Sequence, residues 1–280
     1  MCRMTIDKFI ALSEKNQNVL AVGIEGSLNN PQTTADKWTD TDITLFVHSP
    51  EQEDGEWWIR QFGKPIIVQR LHSDQLFGPS TSTWKIWLTR YAGTKRIDLK
   101  IASVKDIDNY LNADTLNAIV WRRGLGKLSL TKTTATSHFV KIPTEDQFND
   151  HVTEFYWCAG NVVKGLARNN LIYANEQLNQ IVRPELLKMW AYYLTILKAG
   201  QFDAGVSSKF VWKELSLSER NKLASTYHQT TIEETSHSLE VLLISYRELI
   251  EKVTSKLMIQ IPNFVLSAQQ QLMNWLDNLN

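Results

Sequence analysis

Cysteine is almost missing from this chain. Only Cys2 and Cys158 occur among 280 residues, which excludes a disulfide framework and any zinc site built from several thiolates. That usage suits a reducing compartment. A surplus of one charge is also missing, since thirty Lys and Arg stand against thirty Asp and Glu. Binding nucleic acid through overall charge requires an excess of cations. No nucleic-acid partner is therefore expected, and any charged ligand must be met by a local patch. Long apolar runs are missing too: the most apolar stretch, Met189 to Leu197, is interrupted by Thr195 and is about half the length of a membrane span. The first ten residues contain no extended apolar segment. A monomeric cytoplasmic protein without membrane contact is expected. What is present suffices for a packed interior: 43% of the residues are hydrophobic and 21% charged, a globular balance for one large domain or two ordinary ones. Ten Trp are a surplus of the kind that fills thick cores or pockets for ring-shaped ligands.

The two halves differ in period. Up to about residue 103, short β-branched and aromatic runs alternate with turn signals, and they predict strands at Val19–Ile24, Ile43–Val47, Pro65–Leu71, Trp84–Tyr91 and Arg96–Ala102. A helix is expected at Ile6–Glu14 and another at Val104–Leu111, with Glu51–Glu56 a solvated loop leading into a short helix. From Thr144 the apolar spacing turns helical, through Phe155, Val162, Leu166, Leu178, Val182, Leu186, Trp190 and Tyr193, and continues in 232–257 and 263–276. Pro143, Thr144 and Gln147 form a helix start with a capping box. Ser and Thr cluster in 130–143, which places a domain boundary there. The expected architecture is α/β (α+β): a mixed-sheet domain, 1–135, followed by an all-helical domain, 136–280.

Gly26-Ser27 closes the first predicted strand, Asp40-Thr41-Asp42 opens the next, and Asp98 sits inside Arg96-Ile97-Asp98-Leu99-Lys100. A glycine at a strand end lets backbone N–H groups approach an anion, and a serine hydroxyl adds a donor. Residues i and i+2 of a strand share a face, so Asp40 and Asp42 converge, and Asp98 lies on the face opposite Ile97 and Leu99. Carboxylates gathered from adjacent strands are costly without a cation. Hard divalent ions such as Mg²⁺ suit them, and a pair of such ions clamps a triphosphate for in-line displacement.

Glu25-Gly26-Ser27, Asp40-Thr41-Asp42-Ile43, Ile97-Asp98-Leu99, Lys164-Gly165-Leu166-Ala167-Arg168 and Val182-Arg183-Pro184 together resemble the aminoglycoside 6-adenylyltransferases, also called streptomycin adenylyltransferases, over essentially the whole chain. The resemblance implies a nucleotidyltransferase domain followed by a helical domain, with AMP moved from Mg-ATP to a hydroxyl of streptomycin and pyrophosphate released. By position it makes Asp40, Asp42 and Asp98 the catalytic Mg²⁺ ligands, Asp98 being a ligand or the base, and Gly26 and Ser27 the triphosphate contacts. Leu28 stands where the family commonly has Arg, and Lys100 where it commonly has Thr. The first departure touches a phosphate contact, and neither touches the carboxylates.

Two features of the helical half bear on ligands. Asp146, Asp150 and Glu154 are spaced i, i+4, i+8, with no Lys or Arg between Thr144 and Val163. Helix-dipole stabilisation accounts for Asp146 but has faded by Asp150 and Glu154. An acidic stripe beside Tyr156 and Trp157 suits a polycationic sugar, although the same stripe could be a solvated face. Lys164 and Arg168, also i, i+4, would favour an anion between them and are assigned to the nucleotide. Gly124-Leu125-Gly126-Lys127 is not a phosphate loop, because Leu128 stands where Ser or Thr is needed. His48, His72, His138, His151, His228 and His237 show no metal-ligand spacing, and Cys158 among aromatics is packing. Against the adenylyltransferase reading stand the same chemistry on another hydroxylated acceptor and a non-catalytic nucleotide-binding module. The acidic stripe favours a cationic acceptor over the former, and three convergent carboxylates argue against the latter.

Overall fold

A computed structural model describes residues 2–71, 84–129 and 132–279. His72 and the first two residues of the 130–143 segment lie outside them. The chain divides into two compact units, Met1–Ser137 and His138–Asn280.

The first unit opens with helix α1 (Cys2–Lys15) and, among the described residues, is built on seven strands: β1 (Val19–Glu25), β2 (Thr41–Val47), β3 (Ile67–Leu71), β4 (Lys85–Arg90), β5 (Arg96–Ser103), β6 (Ala118–Arg122) and β7 (Gly126–Lys127). Their order is β3-β4-β5-β2-β1-β6-β7. Only β2 and β5 pair in parallel, and every other neighbouring pair is antiparallel. The sheet is mixed, in agreement with the sequence. Period-2 alternation sends Val22, Ile24, Ile43, Leu45, Ile97 and Leu99 to one face, where they pack with Phe9 of α1 and with Trp58 and Ile59 of α2 (Gly55–Arg60). On the other face Ala21, Phe46 and Ala102 lie under Ile107 and Tyr110 of α3 (Ile107–Ala113). The same face turns polar towards the end of β1 and the starts of β2 and β5, where Glu25, Asp42 and Asp98 stand. Sequence reading found no strand beyond residue 103. The Gly-Leu-Gly-Lys segment joins β6 to β7 as a hairpin, with Gly124 (φ +84°) and Gly126 (φ +74°) in the left-handed region that such turns require.

The second unit is helical. Helix α4 (Glu145–Ala167) begins with the expected capping box: the Gln147 backbone N–H donates to Thr144 Oγ1 (3.2 Å) and the Thr144 N–H donates to Gln147 Oε1 (3.1 Å). After α5 (Leu171–Gln177) comes one π-helical stretch, Leu178–Val182, and then α6 (Arg183–Leu197). Pro184 in the first turn of α6 cannot donate, and the wider turn before it lets the Arg183 N–H bond the Leu178 carbonyl. The long α9 (Ile232–Leu257) crosses α4 through Tyr246, whose ring stacks on Phe155 at 3.6 Å between centroids. Two short helices, α7 (Val211–Glu214) and α8 (Leu217–Ser225), precede it, and α10 (Val265–Asp277) follows. No helix among the described residues is long and apolar enough to cross a membrane.

Candidate active site

The turn after β1 sets the site. Gly26 has φ +71°, and a Cβ placed on it would lie 2.6 Å from Asp42 Oδ2. Any side chain at position 26 would therefore be strained in its backbone and would push Asp42 aside. Ser27 follows in a single 3₁₀ turn, Gly26–Asn29, and its carbonyl accepts from the Asn30 N–H (3.2 Å) and from Thr33 Oγ1 (2.8 Å). The loop back to β2 is closed by Asp36, which accepts from the Trp38 N–H and from Thr39 Oγ1.

Strand register does the rest. Glu25 pairs with Asp42 across β1 and β2, and Asp42 with Asp98 across β2 and β5, so three carboxylates stand side by side on three adjacent strands. Asp40 comes immediately before β2. Two cations from β5 lie on the same face. Arg96 donates through Nε to Asp98 Oδ1 (3.0 Å) and through Nη2 to Asp98 Oδ2 (2.5 Å), while its Nη1 lies 3.0 Å from Asp40 Oδ2. Lys100 pairs with Glu25 Oε2 at 2.8 Å, and Thr44 Oγ1 donates to the other Glu25 oxygen at 2.8 Å. The direct ion pair of Lys100 is with Glu25, and it acts on Asp42 only through its field. Asp42 has no hydrogen bond or ion pair among the described residues. Its carboxyl is pushed up to about 7, first by burial and then by repulsion from Asp98, Glu25 and Asp40, with Lys100 opposing.

These are hard oxygen donors held close with incomplete compensation, and a divalent cation fits that chemistry. As they stand, no three His, Cys, Asp or Glu side chains among the described residues converge tightly enough to form a finished metal cage. The Arg96 guanidinium is lodged between Asp40 and Asp98. Sequence reading missed Arg96 and the part played by Glu25. The available signal was an Arg two residues before a strand aspartate, hence on the same face.

In the helical unit, Asp150, Glu154 and Trp157 fall on one exposed face of α4, and Trp157 is 74% exposed. Tyr156 turns the other way: it is 5% exposed, sits among Phe155, Tyr246 and Phe264, and places its hydroxyl 3.3 Å from Gln269 Oε1. Both rings line a cavity of about 410 Å³ between α4 and α10, together with Phe264, Leu272 and Trp275. Asp150 and Glu154 do not line it. Glu154 Oε1 accepts from the Cys158 thiol at 3.4 Å, and burial followed by that carboxylate pushes the thiol up to about 11. One turn before Glu154, His151 Nδ1 lies 2.8 Å from Glu185 Oε2, and burial raises the Glu185 carboxyl. Lys164 and Arg168, both exposed, line a smaller cavity of about 210 Å³ with Asn170 and Tyr173. Arg183 is buried, donating to the hydroxyl and carbonyl oxygens of Thr226 and lying 4.0 Å from the Tyr227 ring. Its place in the Val-Arg-Pro segment is thus a packing role.

A family model described as streptomycin adenylyltransferase matches residues 2–277. The chain is 30% identical over 265 residues to an aminoglycoside 6-adenylyltransferase of Bacillus subtilis (strain 168), with 92% of each chain covered. It is 26% identical over 266 residues to an aminoglycoside 6-adenylyltransferase of Staphylococcus aureus, with 94% of each covered. To one of Campylobacter jejuni it is 27% identical over 257 residues, covering 91% of this chain and 89% of the relative. Together with the carboxylate-bearing mixed sheet, these matches make the chain an enzyme of the nucleotidyltransferase class. Within that class it belongs to the streptomycin adenylyltransferase family.

Proposed function

We propose that the enzyme transfers AMP from Mg-ATP to a hydroxyl of streptomycin, the 6-hydroxyl, and releases pyrophosphate, so that the antibiotic is inactivated. The observation that best supports this is the register that sets Glu25, Asp42 and Asp98 side by side in a member of this family. We assign the first unit to the nucleotide and its metal and the second to the aminoglycoside. Asp40, Asp42 and Asp98 would hold Mg²⁺, which when bound neutralises the triphosphate and polarises it towards attack. Gly26 gives the triphosphate access to backbone N–H groups, and Ser27 adds a hydroxyl donor. In the transfer, the acceptor oxygen bonds to the α-phosphorus, the bond from that phosphorus to the bridging oxygen breaks, and pyrophosphate departs. Asp98 is either the third ligand or the base that takes the hydroxyl proton. The protein's share of the catalysis is positioning and charge stabilisation.

For the acceptor we assign Asp150 and Glu154 to its cationic groups and Trp157 to stacking against a ring, with Tyr156 supporting the wall of the same cavity. The test is release of pyrophosphate from Mg-ATP with and without streptomycin, followed by the mass of the antibiotic. Streptomycin that gains no adenylyl group, beside a family relative that does modify it, overturns the reading. Pyrophosphate released only with another hydroxylated acceptor, such as a lincosamide, keeps the chemistry and overturns the acceptor.

A further inference from the structure

The carboxylate cluster already contains a cation. Four carboxylates (Glu25, Asp40, Asp42 and Asp98) share the polar end of one sheet face with two cations, Arg96 and Lys100. The two cations are used differently. Lys100 neutralises Glu25. Arg96 spreads its planar fork over both oxygens of Asp98 and reaches Asp40 with its remaining nitrogen. A guanidinium suits such a two-oxygen grip, and an ammonium does not. While it holds, each Asp98 oxygen that a metal would coordinate already accepts one charge-assisted hydrogen bond, and a second cation there would meet the guanidinium charge. Arg96 and Asp98 are two apart on one strand, so the grip needs no movement of backbone to form or release.

We propose that Arg96 is a resident counter-ion of the metal-free enzyme, clamping Asp98 to Asp40, and that a divalent cation binds by displacing it. The guanidinium offsets the repulsion that would otherwise separate the carboxylates. It also lowers the affinity of the empty site for free metal, so that the ion enters most readily with the nucleotide that carries it. Arg96 is then a positioning residue that acts through Asp40 and Asp98. This rests on the metal site assigned above.

The experiment is a Mn²⁺ titration of the nucleotide-free enzyme, read by the electron paramagnetic resonance of the free ion. Arg96→Gln should bind Mn²⁺ about tenfold more tightly than the unaltered enzyme, and Arg96→Lys, which keeps the charge but not the fork, should fall between them. A Gln variant that binds equally or more weakly overturns the proposal, and so does a Lys variant indistinguishable from the unaltered enzyme. Asp42→Asn serves as the reference. If it loses Mn²⁺ while the Arg96 variants leave the affinity unchanged, the clamp is wrong and the metal site stands. If it binds Mn²⁺ normally, the assigned metal site is wrong and the proposal falls with it. A readout without substitution guards against misfolded variants: the Arg96 Nε–H resonance of the unaltered protein should shift and lose protection from solvent exchange as Mg²⁺ is added. A signal that Mg²⁺ leaves in place at saturation overturns the displacement.

Discussion

Asp42 combines the two demands made on this site, since the position that would grip a cation is also the one at which charge costs most. Its carboxyl is raised to about 7 by burial and by its acidic neighbours. Below about pH 4 the group is protonated in both the folded and unfolded chain, and it adds nothing to the balance between them. Between about pH 4 and 7 the folded protein holds a proton that the unfolded chain gives up, so metal-free stability falls as pH rises through this window, and above it the full cost is present. Asp42→Asn should therefore raise the melting temperature in chelator at about pH 8, by the equivalent of at least about 1 kcal/mol, and change little at about pH 4. The same substitution should lower turnover by about a thousandfold or more, because the charge stabilisation a metal provides is worth several kcal/mol. Thermal melts at the two pH values and a steady-state assay check both halves. Gly26→Ala is a sharper intervention. With φ at +71° and a Cβ 2.6 Å from Asp42 Oδ2, it should cost about 1–2 kcal/mol in chemical denaturation and remove activity although no functional group is lost. Full activity in a folded Gly26→Ala enzyme would contradict the closeness of turn and carboxylate.

At the level of single elements, α4 holds the assignments that most need a solution test. Glu154 lies beyond the first turn of this helix, exposed and bonded only to the Cys158 thiol among the described residues. Glu154→Gln should raise KM for the aminoglycoside about tenfold, the worth of one charge-assisted hydrogen bond, and leave KM for ATP unchanged. A change below about twofold would make the stripe a solvated face. Several elements could be read directly from residues. β2 and β5 announced themselves because β-branched residues alternate with polar ones, and the start of α4 because Thr144 and Gln147 satisfy each other's backbone. Other features could not be read. Ala118–Arg122 has strand composition, but it comes after a helix and just before two glycines, and nothing local says that it pairs with β1. The π-helical turn before Pro184 is a response to a missing N–H and to Arg183 seeking Thr226, a contact of high sequence separation. Tyr156 and Trp157 are adjacent in sequence and point about a quarter-turn apart on the helix, so grouping them with the stripe could hold only for Trp157. The faces of Asp42 and Asp98 were legible because strand parity sets them, whereas their pairing came only with the β2–β5 register. The Arg96 grip on Asp98 had a local signal, two residues apart on one strand face, but its reach to Asp40 did not, because that depends on β2 and β5 meeting, a partner choice no local pattern encodes.

Over the whole molecule, charge is balanced, with thirty groups of each sign and a sequence pI near 7.0. A protein without net charge repels its copies weakly, so solubility should pass through a minimum at about pH 7 and improve by about pH 8.5. Light scattering of a concentrated sample across that range checks it, and a minimum displaced by more than about one pH unit would show that perturbed groups such as Asp42 dominate the titration. The two units also have separate interiors, one on the sheet face beneath α1 and α2 and one around Phe155 and Tyr246. The parallel pairing of β2 with β5 at the middle of the sheet reaches further, into the speed at which the chain finds its structure. The partners Asp42 and Asp98 are 56 positions apart (98 less 42), and α2, β3 and β4 come between them in sequence. Closing so distant a pair requires loss of loop entropy before any contact rewards it. The strands that must meet also bring two like charges into register, so the ion pairs of Arg96 and Lys100 have work to do before any ligand arrives. Refolding from denaturant should accelerate as pH falls below about 7, where the assembling site holds Asp42 protonated, and the chemistry that makes the site useful should be what makes it slow to assemble.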